Sequence, residues 1–263
     1  MDIKLLSLDL DGTLLTDDKR ITAPVKEALK KAEEKGVHVV LCTGRMLPSV
    51  TPLYEELELD SPAICCNGAC VTLQDGTVII HNAIDKDTVQ RVLKYANDNG
   101  IYIQQFIDNK FYSQQSGELL SLYESRAKIK AVVVDDIAAL NLPADKLLMI
   151  QRPDILDKLP LVQAAFPELN VLCSSNDYIE ITHKDANKGK ALKALGEYYG
   201  LNKDQIMAIG DGMNDLPMLL TAGHSVAMGN SVQEVKDACE LETLSNMEDG
   251  VAYAVHKWIL EDI

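Results

Sequence analysis

The sequence has no long apolar run and no cysteine pattern typical of a metal-binding or disulfide-rich protein. No hydrophobic stretch reaches the roughly 20 residues that a membrane-spanning helix needs. Met1-Asp2 leads directly into an apolar segment without a signal-peptide pattern. The six cysteines form no pair of C-x-x-C units, and no H-E-x-x-H occurs, so zinc is not expected. We therefore expect a reduced, cytoplasmic protein that does not span a membrane.

Positive charge is scarce as well. The 263 residues include 25 Lys and Arg against 40 Asp and Glu, which gives a net charge of -15. A chain this acidic is not expected to bind nucleic acid or an anionic membrane through broad electrostatic attraction. An anionic substrate would have to be drawn by a local positive site, not by the field of the whole protein. The length and the 47% hydrophobic share allow one large domain or two smaller ones.

The apolar pattern divides the chain into three parts. Residues 1–83 and 185–263 alternate short apolar strands with amphipathic helices, which is typical of a parallel sheet with right-handed crossovers. Residues 84–184 mix hairpin signals with helices and indicate an antiparallel sheet. We therefore predict an α/β fold: a discontinuous, Rossmann-like parallel-sheet core over 1–83 and 185–263, with an inserted α+β domain over 84–184. Asp75-Gly76 predicts a hairpin turn within the first part.

Two acids follow the first predicted strand. The run Leu5-Leu6-Ser7-Leu8 leads into Asp9-Leu10-Asp11-Gly12, and ligands of open α/β sheets bind just outside the carboxyl ends of such strands. Two carboxylates so close repel each other, and a cation between them relieves the repulsion. Hard oxygen ligands at a phosphate-handling site suit Mg²⁺. Taken alone, Asp-x-Asp could equally be a solvated turn.

Other polar residues stand at corresponding strand ends and helix starts. They are Thr43, Lys188, Asp211, Asn214 and Asp215. Each has an ordinary alternative on its own, since Thr43 could cap a helix, Lys188 could be exposed and the last three could form a capped turn. Together with the two acids of the first strand, they suit one chemistry, phosphoryl transfer to a carboxylate.

In that chemistry the residues divide the work. A carboxylate would attack the phosphorus, and a second acid would protonate the leaving alkoxide and later activate water, a role for which Asp11 is near enough. Mg²⁺ held by Asp9 and Asp211 would shield the negative charge. Lys188 would add positive charge on the phosphate oxygens, and the Thr43 hydroxyl would complete their contacts.

At this point the chain resembles a known family, the haloacid dehalogenase (HAD) superfamily phosphatases of the Cof type. Four motifs carry the resemblance, and the set is specific although Asp-x-Asp alone is not. Two C-terminal segments, 226–230 and 246–251, also resemble Cof-type sequences. The four motifs are Asp9-Leu10-Asp11-Gly12-Thr13, Leu41-Cys42-Thr43-Gly44-Arg45, Asn187-Lys188-Gly189 and Gly210-Asp211-Gly212-Met213-Asn214-Asp215.

The resemblance implies a role for each matching residue and a cap for the insert. It implies Asp9 as nucleophile, Asp11 as general acid/base, and an inserted cap of the C2B type. The implied Mg²⁺ ligands are the Asp9 carboxylate, the Asp11 backbone carbonyl and Asp211, with Asp215 supporting the metal from a second layer. The implied phosphate-binding residues are Thr43, Gly44, Lys188 and Asn214.

Selectivity for the leaving alcohol must come from outside the phosphate site. Our hypothesis is a Mg²⁺-dependent phosphatase of small phosphorylated metabolites, sugar phosphates first. A phosphomutase on the same core and a non-catalytic sensor of a phosphorylated ligand are the alternatives. The sequence fits a monomer or a small homo-oligomer. The candidate specificity residues are Arg45, Asn67, Ser174, Ser175, Asn176 and Tyr178.

Overall fold

The computed structural model describes residues 1–73 and 77–263, with the backbone alone for residues 174 and 175. The strands of these residues are β1 (Leu5–Leu8), β2 (His38–Cys42), β3 (Ala63–Cys65), β4 (Cys70–Thr72), β5 (Val78–His81), β6 (Tyr102–Ile107), β7 (Lys110–Ser113), β8 (Val132–Val133), β9 (Lys146–Ile150), β10 (Leu169–Ser175), β11 (Tyr178–His183), β12 (Ile206–Gly210), β13 (His224–Ala227) and β14 (Leu241–Glu242). The α-helices are α1 (Ala23–Glu34), α2 (Leu47–Leu57), α3 (Lys86–Asp98), α4 (Glu118–Ala127), α5 (Ile155–Ala165), α6 (Lys188–Tyr198), α7 (Leu216–Thr221), α8 (Gln233–Ala238) and α9 (Gly250–Val255).

The chain forms two compact units. The first contains Met1–Thr43, Pro52–Ile80 and Asn187–Ile263, and the second contains Gly44–Thr51 and His81–Ala186. The predicted insert, 84–184, lies within the second of these units. The assignment of 1–83 and 185–263 to one folding domain stays a prediction.

The first unit is built on an eight-stranded sheet in the order β14-β13-β12-β1-β2-β3-β4-β5. Strand β1 is central and pairs in parallel with β2 on one side and β12 on the other. All four β1 residues are buried, which explains why the strand reads as a continuous apolar run. The predicted parallel sheet is therefore confirmed, with an antiparallel addition where β4 pairs with β3.

Helices cover this sheet because each presents one apolar face. A threonine just before a proline-started helical pattern predicts an N-cap, and Thr22 is that cap of α1: its side chain accepts a hydrogen bond from the Val25 backbone N–H. Leu192 and Leu195 of α6 share one buried cluster with Leu5 of β1. Burying a leucine side chain fully is worth about 1.5–3 kcal/mol, so this cluster holds α6 and its first residue firmly against the sheet.

The second unit contains a six-stranded sheet in the order β10-β11-β9-β6-β7-β8. Its pairs are antiparallel, except that β7 and β8 run in parallel. One face packs on α3 and α5 through a cluster that includes Val92, Met149 and Val162. On β6 and β7, Phe106 and Phe111 stack, with ring centroids 5.5 Å apart. The predicted α+β character of the insert is confirmed.

Two local predictions are wrong. The apolar sequence of residues 63–67 predicts a strand through Asn67, but β3 ends at Cys65, because Cys66 and Asn67 have positive φ angles of 49° and 55°. A serine before the helical pattern predicts Ser231 as a helix cap, but Val232 is the N-cap residue of α8. The Ser231 hydroxyl instead donates to the Gly210 carbonyl at 3.4 Å.

The predicted hairpin turn at Asp75-Gly76 lies outside the residues that the structure describes. Among the helices that the structure describes, none is long and apolar enough to cross a membrane.

Candidate active site

The site begins where β1 and β12 end side by side. Leu8 is in register with Ile209, and the Asp9 backbone N–H donates to the Ile209 carbonyl at 3.1 Å. The residue directly after each of these strands belongs to the site: Asp9 follows β1, and Asp211 follows β12. Asp9 is only 5% exposed. The parallel pairing thus delivers two acids that are far apart in sequence to one edge of the sheet.

A buried lysine joins the acids of this edge. Asn187 caps α6 by accepting from the backbone N–H groups of Gly189 at 2.9 Å and Lys190 at 3.1 Å, so Lys188 becomes the first helical residue. Its Nζ donates to Oδ1 of Asp9 at 2.6 Å and to Oδ1 of Asp215 at 2.5 Å. Lys188 is 1% exposed, and a lysine this deeply buried requires charged partners.

Asp215 is the most deeply buried acid of the site. Its Oδ2 accepts from the backbone N–H groups of Gly212 at 2.9 Å and Asp211 at 3.1 Å, while its Oδ1 holds Lys188. One carboxylate therefore shapes the turn after β12 and orients the lysine. This contact set fits the implied supporting position of Asp215 better than a direct position on a cation.

Asp211 is held from the opposite side by the turn after Asp9. The Thr13 hydroxyl donates to Oδ1 of Asp211 at 2.9 Å. Gly12 has a φ of +93°, and a Cβ there would lie 2.3 Å from Oδ2 of Asp211. Glycine is thus required both by the backbone angle and by the closeness of the carboxylate. Thr13 belongs to the first motif but has no predicted role there, although a hydroxyl two residues after Asp11 is the sequence signal for such a contact.

The electrostatics of this cluster are unbalanced. Burial raises the pKa of Asp9 to about 8, with a further contribution from Asp215 and an opposing one from Lys188. Burial and Asp215 also raise the pKa of Asp211 to about 6. Burial alone would lower the pKa of Lys188, but Asp215 and Asp9 outweigh it, so that pKa lies well above its ordinary value. Three acids thus share the site with one ammonium group, and the ionised forms of Asp9 and Asp211 are disfavoured.

The donor set fits a hard divalent cation. Asp9, Asp211 and Asp215 each offer a carboxylate oxygen, and these atoms lie within 4.8 Å of one another. Hydrogen bonds within the described chain engage Oδ1 of Asp9 and Oδ1 of Asp211, so Oδ2 of each is available to a cation. All the donors are oxygens, which suits Mg²⁺ better than a softer metal.

The structure places the other predicted residues of the first unit at varying depth. Thr43 is buried directly after β2, and its carbonyl accepts from the Asn67 backbone N–H at 3.0 Å. Asn214 lies half-buried in the turn after β12. Asp11 is exposed, and its carboxylate pairs with Lys19 at 2.8 Å. The Asp11 side chain is therefore not part of the buried cluster around Asp9.

The remaining predicted residues belong to the second unit. Gly44 follows Thr43 in the chain, and its carbonyl accepts from Lys146 Nζ at 2.8 Å. Arg45 follows it. The Tyr178 hydroxyl accepts from Arg126 at 2.8 Å, and its ring packs against Tyr123. The Ser174 and Ser175 side chains lie outside what the structure describes.

The fold and the acid–lysine cluster together define a class of enzyme, and comparison with known proteins agrees. The family model for haloacid dehalogenase-like hydrolases matches residues 6–255. The chain belongs to this family, in its Cof-type group, and it is a phosphatase. The predicted family and the predicted enzyme class are confirmed.

Relatives and solved structures align along almost the whole chain. A protein of Streptococcus pyogenes serotype M6 is 33% identical over 99% of this chain and 100% of its own length. The 5-amino-6-(5-phospho-D-ribitylamino)uracil phosphatase YcsE of Bacillus subtilis is 32% identical over 99% of this chain and 97% of its own. A crystal structure of a Thermotoga maritima protein is similar with a TM-score of 0.88, at 31% identity and 97% coverage of each chain.

Proposed function

We propose that this chain is a Mg²⁺-dependent phosphatase of small phosphorylated metabolites, sugar phosphates first, and that Asp9 carries the phosphoryl group as an aspartyl-phosphate. The observation that supports it most strongly is the buried cluster in which Lys188 bonds both Asp9 and Asp215. A buried acid held by a lysine and crowded by two further acids is arranged for reaction, because such crowding is costly for stability.

The first step transfers the phosphoryl group to Asp9. A carboxylate oxygen of Asp9 attacks the phosphorus of the ester, and the bond between phosphorus and the alcohol oxygen breaks. Asp11 donates its proton to that oxygen, so the alcohol leaves neutral. Lys188 fixes the attacking group, and its charge opposes the repulsion between carboxylate and phosphate.

The second step returns the enzyme to its starting state. Asp11, now ionised, takes a proton from a water molecule while the water oxygen attacks phosphorus. The acyl phosphate bond breaks, which regenerates the Asp9 carboxylate and releases inorganic phosphate. Splitting the hydrolysis in this way replaces one difficult displacement by two easier ones. Mg²⁺, held by Asp9, the Asp11 backbone carbonyl and Asp211, would neutralise the excess acid charge and polarise a phosphoryl oxygen.

The proposed substrate class rests on the phosphate group that the site would bind and on the name of one relative. The phosphate itself would be bound by Thr43, Gly44, Lys188 and Asn214. The name of the YcsE relative describes a substrate that carries its phosphate on a ribityl chain, a linear sugar alcohol. A phosphate on a polyhydroxylated carbon chain is therefore our first choice for this protein. We propose that the insert, 84–184, acts as the cap that selects the alcohol. The candidate residues for contacting the alcohol are Ser175 and Tyr178 of the insert and Arg45 and Asn67 outside it.

Two assays test the proposal. Purified protein with Mg²⁺ should hydrolyse p-nitrophenyl phosphate, and a chelator should abolish the reaction until Mg²⁺ is restored. A panel of sugar and polyol phosphates then identifies the substrate by release of inorganic phosphate. Isomerised sugar phosphate without release would indicate the phosphomutase, and binding without turnover would indicate the sensor.

A further inference from the structure

Two C-terminal segments that resemble the family have no part in the proposed steps, yet both contact the loop after β1. The loop, residues 10–16, carries Asp11. Asn230 follows β13, and Asn246 opens a short turn between β14 and α9. Both asparagines lie in the first unit, far from Asp11 in sequence.

Asn230 fixes the peptide between Gly12 and Thr13, one residue beyond Asp11. Its Nδ2 donates to the Gly12 carbonyl at 2.8 Å. A peptide group is planar, so a fixed Gly12 carbonyl also fixes the direction of the Thr13 N–H. Gly12 is the point where the loop most needs such a contact, because glycine at a φ of +93° has no side chain to restrict it.

Asn246 fixes Asn230 and the far end of the loop. Its backbone N–H donates to Oδ1 of Asn230 at 3.0 Å, which sets the orientation of that amide. Its own Nδ2 donates to the Leu15 carbonyl at 3.0 Å and to Oδ1 of Asp17 at 3.2 Å. Asn246 is 7% exposed, and its bond to Leu15 is buried, while the bond from Asn230 to Gly12 is exposed.

The result is that Asp11 lies between two anchored points. On one side, the Asp9 backbone N–H is bonded to Ile209 in the sheet. On the other side, Gly12 is bonded to Asn230. Only Leu10 and Asp11 lie between them, and Leu10 is fully buried. The Asp11 side chain is exposed and pairs with Lys19, and the backbone on either side of Asp11 sets the position from which this side chain extends.

We propose that Asn230 and Asn246 are positioning residues for the general acid, and that they hold the Asp11 carboxyl in line with the leaving oxygen. This inference rests on the proposed function, in which Asp11 protonates that oxygen. Asn230 and Asn246 touch neither substrate nor cation in this role. They act through the loop backbone, and because the Asp11 carbonyl of this loop is also an implied Mg²⁺ ligand, the kinetic comparison below is made at saturating Mg²⁺.

The choice of leaving group tests this role. p-Nitrophenolate leaves without a proton, whereas an alkoxide needs one. Because kcat/KM reports the steps up to departure of the alcohol, a misplaced acid should lower kcat/KM on alkyl esters alone, while the later attack of water, in which Asp11 is the base, is common to both esters and affects kcat. For Asn230→Ala we expect kcat/KM to fall about tenfold on glucose 6-phosphate and less than about twofold on p-nitrophenyl phosphate, since general acid catalysis is worth about 10²–10⁴-fold. Asn202→Ala is the matched control. It removes another asparagine side chain that bonds the backbone, since Oδ1 of Asn202 accepts from the Asp204 N–H, and it should change neither value of kcat/KM.

A double variant asks whether Asn230 acts through Asp11. Once Asp11→Asn has removed the acid, adding Asn230→Ala should cost nothing more on glucose 6-phosphate. Equal losses on both esters, no loss on either, or a full additional loss in the Asp11→Asn background would overturn the inference. These outcomes leave the proposed function intact. A wild-type protein that hydrolyses neither ester would instead overturn the proposed function itself.

Discussion

Each unit of the molecule buries a lysine, and the two lysines differ in the charge that surrounds them. Lys188 in the first unit is 1% exposed and Lys146 in the second is 2% exposed. Lys188 bonds Asp9 and Asp215, with Asp211 in the same cluster. Lys146 bonds one acid, Glu180, at 3.2 Å.

Lys146 also donates to the Gly44 carbonyl at 2.8 Å, and its Nζ lies 4.7 Å from the centre of the Phe106 ring. In the other cluster three acids lie within 4.8 Å of one another beside one ammonium group, and the pKa values of Asp9 and Asp211 are raised to about 8 and about 6. The proposed divalent cation would favour the ionised form of these acids. Burial of a lysine does not by itself mark a reactive site, but an uncompensated set of acids around it does.

Asp9, the proposed nucleophile, gives the largest expected contrast between the two lysine sites. Asp9→Asn should lower kcat on p-nitrophenyl phosphate by at least about 10³-fold, because an amide is a poor nucleophile and removal of a nucleophile has effects of this size. Glu180→Gln, the corresponding change beside Lys146, should keep kcat within about threefold and lower the melting temperature. Steady-state kinetics and thermal unfolding of both variants would test this. Equal losses of kcat would show that the charge difference has no functional meaning.

The two lysines should respond differently to the same substitution. Lys188→Met should lower kcat/KM by about a hundredfold, since it removes the group that fixes Asp9 and opposes phosphate repulsion. Lys146→Met should leave kcat/KM nearly unchanged but cost about 3–5 kcal/mol in the free energy of unfolding, because Glu180 stays buried without its partner. The measurements are kinetics and urea unfolding.

A double variant controls the second result. Lys146→Met combined with Glu180→Leu removes both charges and should recover most of the lost stability. If the double variant were as unstable as the single one, the pair with Glu180 would not explain the burial of Lys146.

The cation should stabilise the protein through the acid cluster alone. A ligand at about 100 times its Kd stabilises the folded state by about 2.7 kcal/mol, so Mg²⁺ at that excess should raise the melting temperature of the wild type. Asp211→Asn should abolish the shift, and Lys146→Met should keep it. An unchanged shift in Asp211→Asn would place the cation elsewhere.

Two glycines with similar backbone angles test, with a smaller expected effect, whether the start of α6 must hold Lys188 in place. A Cβ at Gly68 (φ +92°) would lie 2.5 Å from the Asn187 carbonyl, while a Cβ at Gly36 (φ +85°) meets nothing within 4 Å. Alanine at either position costs about 1–2 kcal/mol in stability. Only Gly68→Ala should also displace the start of α6, and we expect about a tenfold loss of kcat/KM there. Equal activity in the two variants would show that Asn187 tolerates the shift.

Much of the fold could be predicted from the sequence because the pattern and the structure obey the same rule. Strand β1 is buried on both faces and reads as an apolar run, and the cap at Thr22 has a local signature. The same reasoning anticipated that Asp9, Lys188 and Asp211 would meet, since the carboxyl ends of parallel strands share one edge.

The failures have an equally physical cause. Cys66 and Asn67 adopt left-handed backbone angles that the apolar pattern of the strand before them does not predict. Their conformation is accompanied by contacts with Thr43 and α6 that only the folded chain provides. The short strand β14 has too few residues to show a period. The bonds from Asn230 and Asn246 to the β1 loop span more than 200 residues, and no local pattern encodes them.

The central claim is that Asp9 itself carries the phosphoryl group, and trapping that group is its most direct test. Wild-type protein turning over p-nitrophenyl phosphate should be quenched with acid and reduced with sodium borohydride, which converts an acyl phosphate to an alcohol. The account predicts that peptide mass spectrometry finds homoserine at position 9 after turnover and not without substrate. Reduction at another carboxylate, or none during demonstrated turnover, would contradict it.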